Sequence, residues 1–232
     1  MAGRRRPRRR RPEERRARRV GLALLLIVVA ILVWRGVWLS PLGPVDAVLP
    51  PTRFLPVYVR AGEMYHVPWE FLAAINEIET HYDRVRPMIS PVGALGPMQF
   101  MPATWSEYGR DMLHPGRRGD PMNFLDAVFA CARLLHTWGL TPARTSPYWL
   151  ARLAGSYDAG PGNWANGSQE TVSYRANAVR LYSLIRQDVT IPVIDLHYWN
   201  RLSLQQIGLI ASGRRDSLAP GLPRIREWTK GD

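Results

Sequence analysis

The sequence contains one cysteine, Cys131, and one lysine, Lys230, among its 232 residues. A single cysteine excludes an internal disulfide, and its position inside a helical pattern predicts a small buried side chain. No run of strand patterns and no alternation of strands with helices is visible. That absence argues against a parallel sheet and favours an all-α fold. Apolar residues make up 46% of the chain, enough for one modest core and one main domain.

Positive charge is concentrated at the N-terminus. Residues 1–19 contain eleven arginines and only two acidic residues, Glu13 and Glu14, so they carry +9 of the formal net charge of +12. An arginine-rich tail can bind nucleic acid. The apolar run that follows favours a different interpretation, and we do not expect nucleic acid to be a partner.

An uninterrupted apolar run extends from Val20 to Trp34. Its continuation to Leu39 reaches the length of about 20 residues that a membrane span needs, if Arg35 extends its charge towards the interface. Trp34 and Trp38 are typical of membrane interfaces, and arginines before such a segment predict a cytoplasmic N-terminus. We therefore expect residues 1–19 to be a cytoplasmic tail and residues 20–39 to be a single-pass signal anchor in the cell membrane. The domain that follows would then lie on the extracytoplasmic side.

A cleaved signal peptide is the alternative for this segment. Small residues at Val45-Asp46-Ala47 are spaced like a cleavage site. They lie well beyond the apolar run, with Pro41 and Pro44 between, which favours the uncleaved anchor. Residues 40–52 contain four prolines and predict a short, stiff linker.

A helix is predicted to begin near Pro68, with an apolar stripe at helical spacing. Its members are Phe71, Leu72, Ile75, Ile78 and Tyr82. Glu77 projects from the opposite side at 100° per residue, whereas Glu79 falls within the stripe. Burial would raise the pKa of Glu79, and a carboxyl group that stays protonated near neutral pH can act as a general acid. The alternative is that Glu79 lies at the edge of the stripe and forms a salt bridge.

Helical patterns recur through the rest of the chain, over residues 53–65, 102–108, 123–138, 147–157 and 170–186. In the third of these, Asn123 is an N-cap, and Phe124, Leu135 and Trp138 are predicted to face the core. Asp126 fits a capping box better than a second catalytic carboxylate.

Two sequence blocks follow Glu79, SPVGALGPMQFMPATW from Ser90 to Trp105 and GSYDAGPGNW from Gly155 to Trp164. They resemble two sequence motifs of the soluble lytic transglycosylase family. The first motif is S-x-x-G-A-x-G-L-M-Q-x-M-P-x-T, and the second, later in the chain, is A-Y-N-A-G-P-G. The resemblance implies a lysozyme-like domain over residues 53–187 and makes Glu79 the catalytic acid. It further implies that peptidoglycan glycan strands are the substrate and that no metal or organic cofactor is needed.

The resemblance also implies the substrate-binding residues. It places Met98 and Gln99 at the cleft, and it brings the hydroxyl of Tyr157 onto Glu79. Thr80 stands where the family has Ser, and Asp158 stands where it has Asn; both are expected at the site. The amide of Gln99 can hydrogen-bond a sugar. Pro97 stands where the family has Leu, and Met101 is expected in the core.

By the resemblance, Glu79 protonates the bond between N-acetylmuramic acid and N-acetylglucosamine, and the product is a 1,6-anhydromuramoyl sugar. Two alternatives stay open: a catalytically impaired peptidoglycan-binding module that localises cell-wall or secretion assembly proteins, which Asp158 favours, and a muramidase that uses water. Residues 188–232 lie outside the resemblance. The segments VTIPVIDLHYW and LSLQQIGLIAS are expected either to pack onto the domain or to bind a partner, and RRDSLAPGLPRIREW is expected to be a loose tail.

Overall fold

The structure is a computed structural model, and it describes residues 49–86, 88–165, 168–191 and 193–213. A short 3-10 turn, Thr52–Phe54, leads into the first of eight described α-helices. They are α1 (Leu55–Tyr65), α2 (Trp69–Thr80), α3 (Pro102–Tyr108), α4 (Phe124–Thr137), α5 (Pro147–Ala159), α6 (Gln169–Asp188), α7 (Val193–Trp199) and α8 (Leu204–Ala211). No β-strand is formed in the described ranges, and isolated bridges join Ile89 to Leu95 and Leu95 to Phe100. The all-α expectation is confirmed.

Helix α2 lies at the centre of the domain, in contact with α1, α4 and α6. Every residue from Phe71 to Glu77 is buried. This overturns one expectation, because Glu77 was predicted on a solvated face and is only 4% exposed. A helical wheel assumes that one side of the helix faces solvent. Helix α2 is packed on several sides, so no side of it faces solvent between Phe71 and Glu77.

Aromatic packing joins the start of the domain to α4. The rings of Phe54 and Phe124 stack with centroids 4.1 Å apart, and Tyr58 meets Phe124 edge-on at 5.7 Å. Leu135 is fully buried, as predicted, and so is Cys131. Trp138 differs from its prediction, since it is only partly buried and lines a surface pocket.

The chain leaves α2 through three consecutive residues with left-handed backbone, His81, Tyr82 and Asp83, at φ of 47°, 52° and 70°. Each such non-glycine residue costs of order 1 kcal/mol or more, so the surrounding contacts must hold the turn. The side chain of Tyr82 is fully buried beneath it. The turn reverses the chain tightly at the end of α2 and so brings the following loop back against that helix.

Asp126 does not complete the predicted capping box. The Asn123 side chain accepts from the Leu125 N–H at 2.9 Å, as an N-cap should. The Asp126 carboxylate instead accepts from the backbone N–H groups of Met112 and Asp120, at 2.9 Å and 3.0 Å. It therefore stabilises the loop before α4 and has a structural role rather than a catalytic one.

The helices after residue 188 pack onto the domain. Helix α8 contacts α1 and α4, and four buried side chains anchor the region: Trp199, Leu202, Ile207 and Ile210. None of the described helices is long and apolar enough to cross a membrane. The tail of residues 1–19, the anchor of residues 20–39, the linker up to residue 48 and the expected loose tail from residue 214 lie outside the described residues.

Candidate active site

Glu79 lies in the last turn of α2, and Tyr174 from the second turn of α6 reaches it. The Tyr174 hydroxyl donates a hydrogen bond of 2.6 Å to Oε1 of Glu79. Tyr174 is buried, whereas Glu79 keeps partial exposure to solvent. The carboxyl group is therefore fixed by the protein through one oxygen, and the residue keeps some contact with solvent.

The surroundings of Glu79 favour its protonated form. Burial is the largest effect and, with the nearby charge of Asp158, raises the pKa of Glu79 to about 8, although the Tyr174 hydrogen bond lowers it. At neutral pH the group is mostly protonated. This state is the one that a general acid needs, and its pKa lies close to the range in which the same group can also take a proton back.

Two side chains of α2 hold the loop that faces Glu79. Asn76 Nδ2 and Thr80 Oγ1 each donate to the carbonyl oxygen of Pro97, both at 2.8 Å. Pro97 has no N–H to contribute, but the loop uses its carbonyl, so the departure from the family's Leu leaves this attachment intact. Thr80 is completely buried. Its hydroxyl has a structural role here, and its expected part in substrate binding stays a prediction.

Gly96 allows that loop to approach the segment before α4. It has φ of +74°, and a Cβ at this position would lie 1.7 Å from the carbonyl oxygen of Pro121. No side chain fits there without backbone movement. Gly93, in contrast, has φ of +86° with open space around it.

Tyr157, at the end of α5, contacts the loop rather than the acid. Its hydroxyl donates to the carbonyl oxygen of Met98 at 2.7 Å, so the predicted bond to Glu79 is made by Tyr174 instead. The side chain of Met98, which the resemblance places at the cleft, has no exposed surface in this structure. Met101, which was expected in the core, is 45% exposed. The two methionines thus have opposite environments to those predicted.

A surface pocket of about 440 Å³ adjoins these residues. Three of the predicted site residues, Gln99, Tyr157 and Asp158, line it. The Asp158 carboxylate accepts a hydrogen bond of 2.6 Å from Thr171 Oγ1. Gln99 has left-handed backbone, and its Nε2 donates to the Gly96 carbonyl at 2.7 Å. The other lining residues come from α3, α4, α5 and the residues next to them: Phe100, Met101, Thr104, Glu107, Tyr108, Leu134, Trp138, Ser156, Ala159, Gly160 and Pro161.

Comparison with known families fits this geometry. A model of the transglycosylase SLT domain matches residues 57–179, which is more than half of the chain. The chain belongs to the transglycosylase SLT family. Searches of curated proteins and of solved structures found no match. Membership supports a transglycosylase-type enzyme that acts on peptidoglycan, with a lysozyme-like domain.

The matched SLT region contains a second buried carboxyl group, Glu77. Burial raises the pKa of Glu77, and His81 opposes the effect through its Nδ1, which lies 3.3 Å from Glu77 Oε1. The other oxygen of Glu77 is buried and lacks a hydrogen-bond partner within the described residues. Burial raises the pKa of the phenols Tyr58 and Tyr82, and the charge of Glu77 adds to that effect. Glu77 thus belongs to the interior of the SLT domain. Neither Glu77 nor Glu79 is among the residues that line the pocket, and Glu79 differs from Glu77 in keeping partial exposure to solvent.

Sequence reasoning missed Tyr174 as a site residue. It is 95 positions from Glu79 in a helix with a weak apolar pattern. Its burial at helical spacing with Ala178 and Leu181 indicates only that it faces the domain. In the described part of the SLT domain, no cluster of three or more His, Cys, Asp or Glu side chains could hold a metal ion.

Proposed function

We propose that this protein is a membrane-anchored lytic transglycosylase that cleaves the β-1,4 bond between N-acetylmuramic acid and N-acetylglucosamine in peptidoglycan. One observation carries the proposal. Glu79 is a carboxyl group with a pKa raised to about 8, hydrogen-bonded by a buried tyrosine and still accessible to solvent. A surface glutamate with an ordinary pKa would be ionised at neutral pH and could not donate a proton.

In the first step, Glu79 donates its proton to the glycosidic oxygen, and the bond from that oxygen to C1 of the muramoyl sugar breaks. The acetamido oxygen of the same sugar stabilises the positive charge that develops at C1. In the second step, the Glu79 carboxylate takes the proton of the C6 hydroxyl, and O6 bonds to C1. The 1,6-anhydro ring closes and Glu79 is protonated again. General acid–base catalysis of this kind contributes roughly 10²–10⁴-fold.

The raised pKa suits both steps, because a weak acid leaves a carboxylate that is basic enough to accept the later proton. Asp158 supports the same chemistry, since its charge favours the protonated form of Glu79. Its presence therefore argues against the catalytically impaired binding module. Because Gln99 Nε2 is engaged by its own loop, its amide oxygen is the group available to accept a hydrogen bond from a sugar.

Mass spectrometry of muropeptides released from purified sacculi tests the reaction. A lytic transglycosylase releases 1,6-anhydromuramoyl ends, which lack the elements of water. Reducing muramoyl ends would identify a muramidase that uses water. Binding to sacculi without release would identify a binding module.

The anchor belongs to the same proposal and rests on the sequence alone. The arginine-rich tail and the apolar run to Leu39 support a single span with the C-terminus outside the cytoplasm. We expect a reporter enzyme that works only outside the cytoplasm to be active when it is fused after Leu39 or at Asp232. A reporter that works only in the cytoplasm should be inactive at both positions. A membrane-free product that begins near Val48 would show cleavage and overturn the anchor.

A further inference from the structure

Arginine and tryptophan side chains alternate on the outer surface of α5 and α6. We call the five residues Arg144, Trp149, Arg152, Trp164 and Arg175 the Arg–Trp ladder. The guanidinium carbons lie 5.8 Å (Arg144) and 5.1 Å (Arg152) from the Trp149 ring centroid. From the Trp164 centroid they lie 5.8 Å (Arg152) and 5.2 Å (Arg175). These distances are typical of cation–π contacts, so each indole lies between two cations.

The fold provides room for this arrangement. A Cβ at Gly155 would lie 2.9 Å from Cδ of Arg175 and 3.1 Å from Cβ of Trp164, so a glycine lets both side chains cross α5. Arg175 Nη1 also donates to the carbonyl oxygen of Trp164 at 3.1 Å, which attaches the loop after α5 to α6. The ladder is thus held by contacts from two helices and their connection.

The arginines of the ladder have no acidic partner in the part of the chain that the structure describes. Among the residues described, no carboxylate forms an ion pair with Arg144, Arg152 or Arg175. Arg144 and Arg152 are exposed. Three neighbouring cations repel one another, and neutral side chains would fill the same space without that cost. Arg175 is engaged by the Trp164 carbonyl, so the exposed guanidinium groups of Arg144 and Arg152 are the ones that can present N–H donors to a ligand. A pair of such donors matches a carboxylate in bidentate geometry.

The position of the ladder connects it to the cleft. Gly160 and Pro161 line the pocket, and Trp164 follows three residues later in the same connection. Tyr148 is 64% exposed and meets the Trp164 ring edge-on at 5.8 Å, which adds an apolar surface beside the cations. A polymer in the cleft could therefore reach the ladder with its side branches.

We propose that the Arg–Trp ladder binds the carboxylates of the peptide stems that branch from peptidoglycan glycan strands. The proposal rests on the proposed function, because it takes the occupant of the cleft to be a glycan strand. The stems are anionic peptides attached to alternate sugars of that strand. The ladder then adds affinity for strands with intact stems and adds none for bare glycan.

The test uses the full chain in detergent micelles with Glu79→Gln, so that bound strands are not consumed. Binding is measured to peptidoglycan freed of phosphate polymers and to the same glycan after an amidase has removed its stems. The ladder variant is Arg144→Gln with Arg152→Gln. The control is Arg180→Gln with Arg201→Gln, two exposed arginines that reduce the net charge equally. The arginine-rich tail is common to every variant and cancels from the comparison.

We expect the parent chain and the control to bind intact strands at least about tenfold more tightly than stem-free glycan. The ladder variant should lose most of that preference, with binding to stem-free glycan and melting temperature unchanged. An unchanged preference in the ladder variant, or an equal loss in the control, would overturn the proposal. So would binding that requires phosphate polymers, which would assign the ladder to phosphate. If the parent bound neither glycan, the proposed function itself would fail.

Discussion

The hydroxyl of Tyr174 donates a hydrogen bond of 2.6 Å to Oε1 of Glu79. This hydrogen bond joins the second turn of α6 to the end of α2. It lowers the pKa of Glu79 and so opposes the effect of burial. The acid is therefore under three influences that can be separated by substitution: burial, the Tyr174 hydroxyl and the charge of Asp158.

Tyr174→Phe removes the hydrogen bond that stabilises the Glu79 carboxylate. We expect the pKa of Glu79 to rise further above about 8, so the alkaline fall of kcat/KM should move to higher pH. The rate at the optimum should fall about tenfold or more, because a charge-assisted hydrogen bond also orients the group. Tyr157→Phe is the matched control, since its hydroxyl contacts Met98. An alkaline limb that moves with Tyr157→Phe and not with Tyr174→Phe would contradict the assignment.

Asp158→Asn should move the alkaline fall of kcat/KM to lower pH, the opposite of the effect of Tyr174→Phe. Removing the negative charge that raises the pKa of Glu79 makes the acid ionise at lower pH, so activity is lost earlier as the pH rises. The Asn side-chain oxygen can still accept the hydrogen bond from Thr171. Measured pH–rate profiles of the two variants should therefore lie on either side of the wild type. A profile for Asp158→Asn that shifts upward would show that the Asp158 charge does not act on Glu79.

Gly96→Ala should disable the loop that carries Gln99. An added Cβ would collide with the Pro121 carbonyl at 1.7 Å, and the backbone is at φ of +74°. We expect a loss of stability of more than about 2 kcal/mol together with a loss of cleavage. Gly93→Ala, with positive φ but open space, should cost only about 1 kcal/mol and leave cleavage intact. Equal melting temperatures for the two variants would show that the close approach has no effect.

Glu77→Gln should change the pH dependence of stability. Burial holds the native pKa of Glu77 above its ordinary value of 4.5. Below that value the unfolded chain is protonated too; as the pH rises through the native pKa, the native state must ionise a buried group and stability falls. Gln cannot ionise, so the variant does not lose this stability. The melting temperature of the variant should therefore exceed that of the wild type by a margin that grows from about pH 4.5 upward. An advantage that shrinks with rising pH would mean that His81 dominates.

The local parts of the fold were predictable from the sequence. Pro102 and Tyr108 bound a helix as expected, and Asn123 is an N-cap as expected, because caps and prolines act within a few residues. The apolar stripe correctly predicted that the segment carrying Glu79 is a helix. These signals are local and do not depend on which elements surround the helix.

The environment of each side chain was less predictable. The stripe placed Glu77 in solvent, but α2 is surrounded and Glu77 is buried. Met98 and Met101 have reversed exposures because Gln99, between them, adopts left-handed backbone and turns the chain. Tyr174 reaches Glu79 from 95 positions away, which no periodic pattern reveals. Each of these features depends on tertiary packing.

The role of Glu79 is tested most directly by comparing Glu79→Gln with Glu77→Gln in the release of 1,6-anhydromuropeptides from purified sacculi. Both variants remove a buried, ionisable proton and keep the shape of the side chain, and the two positions are two residues apart on one helix. The account predicts that Glu79→Gln reduces release to background with sacculus binding intact, whereas Glu77→Gln releases product at nearly the wild-type rate. Continued release by Glu79→Gln, with loss of release by Glu77→Gln, would contradict it.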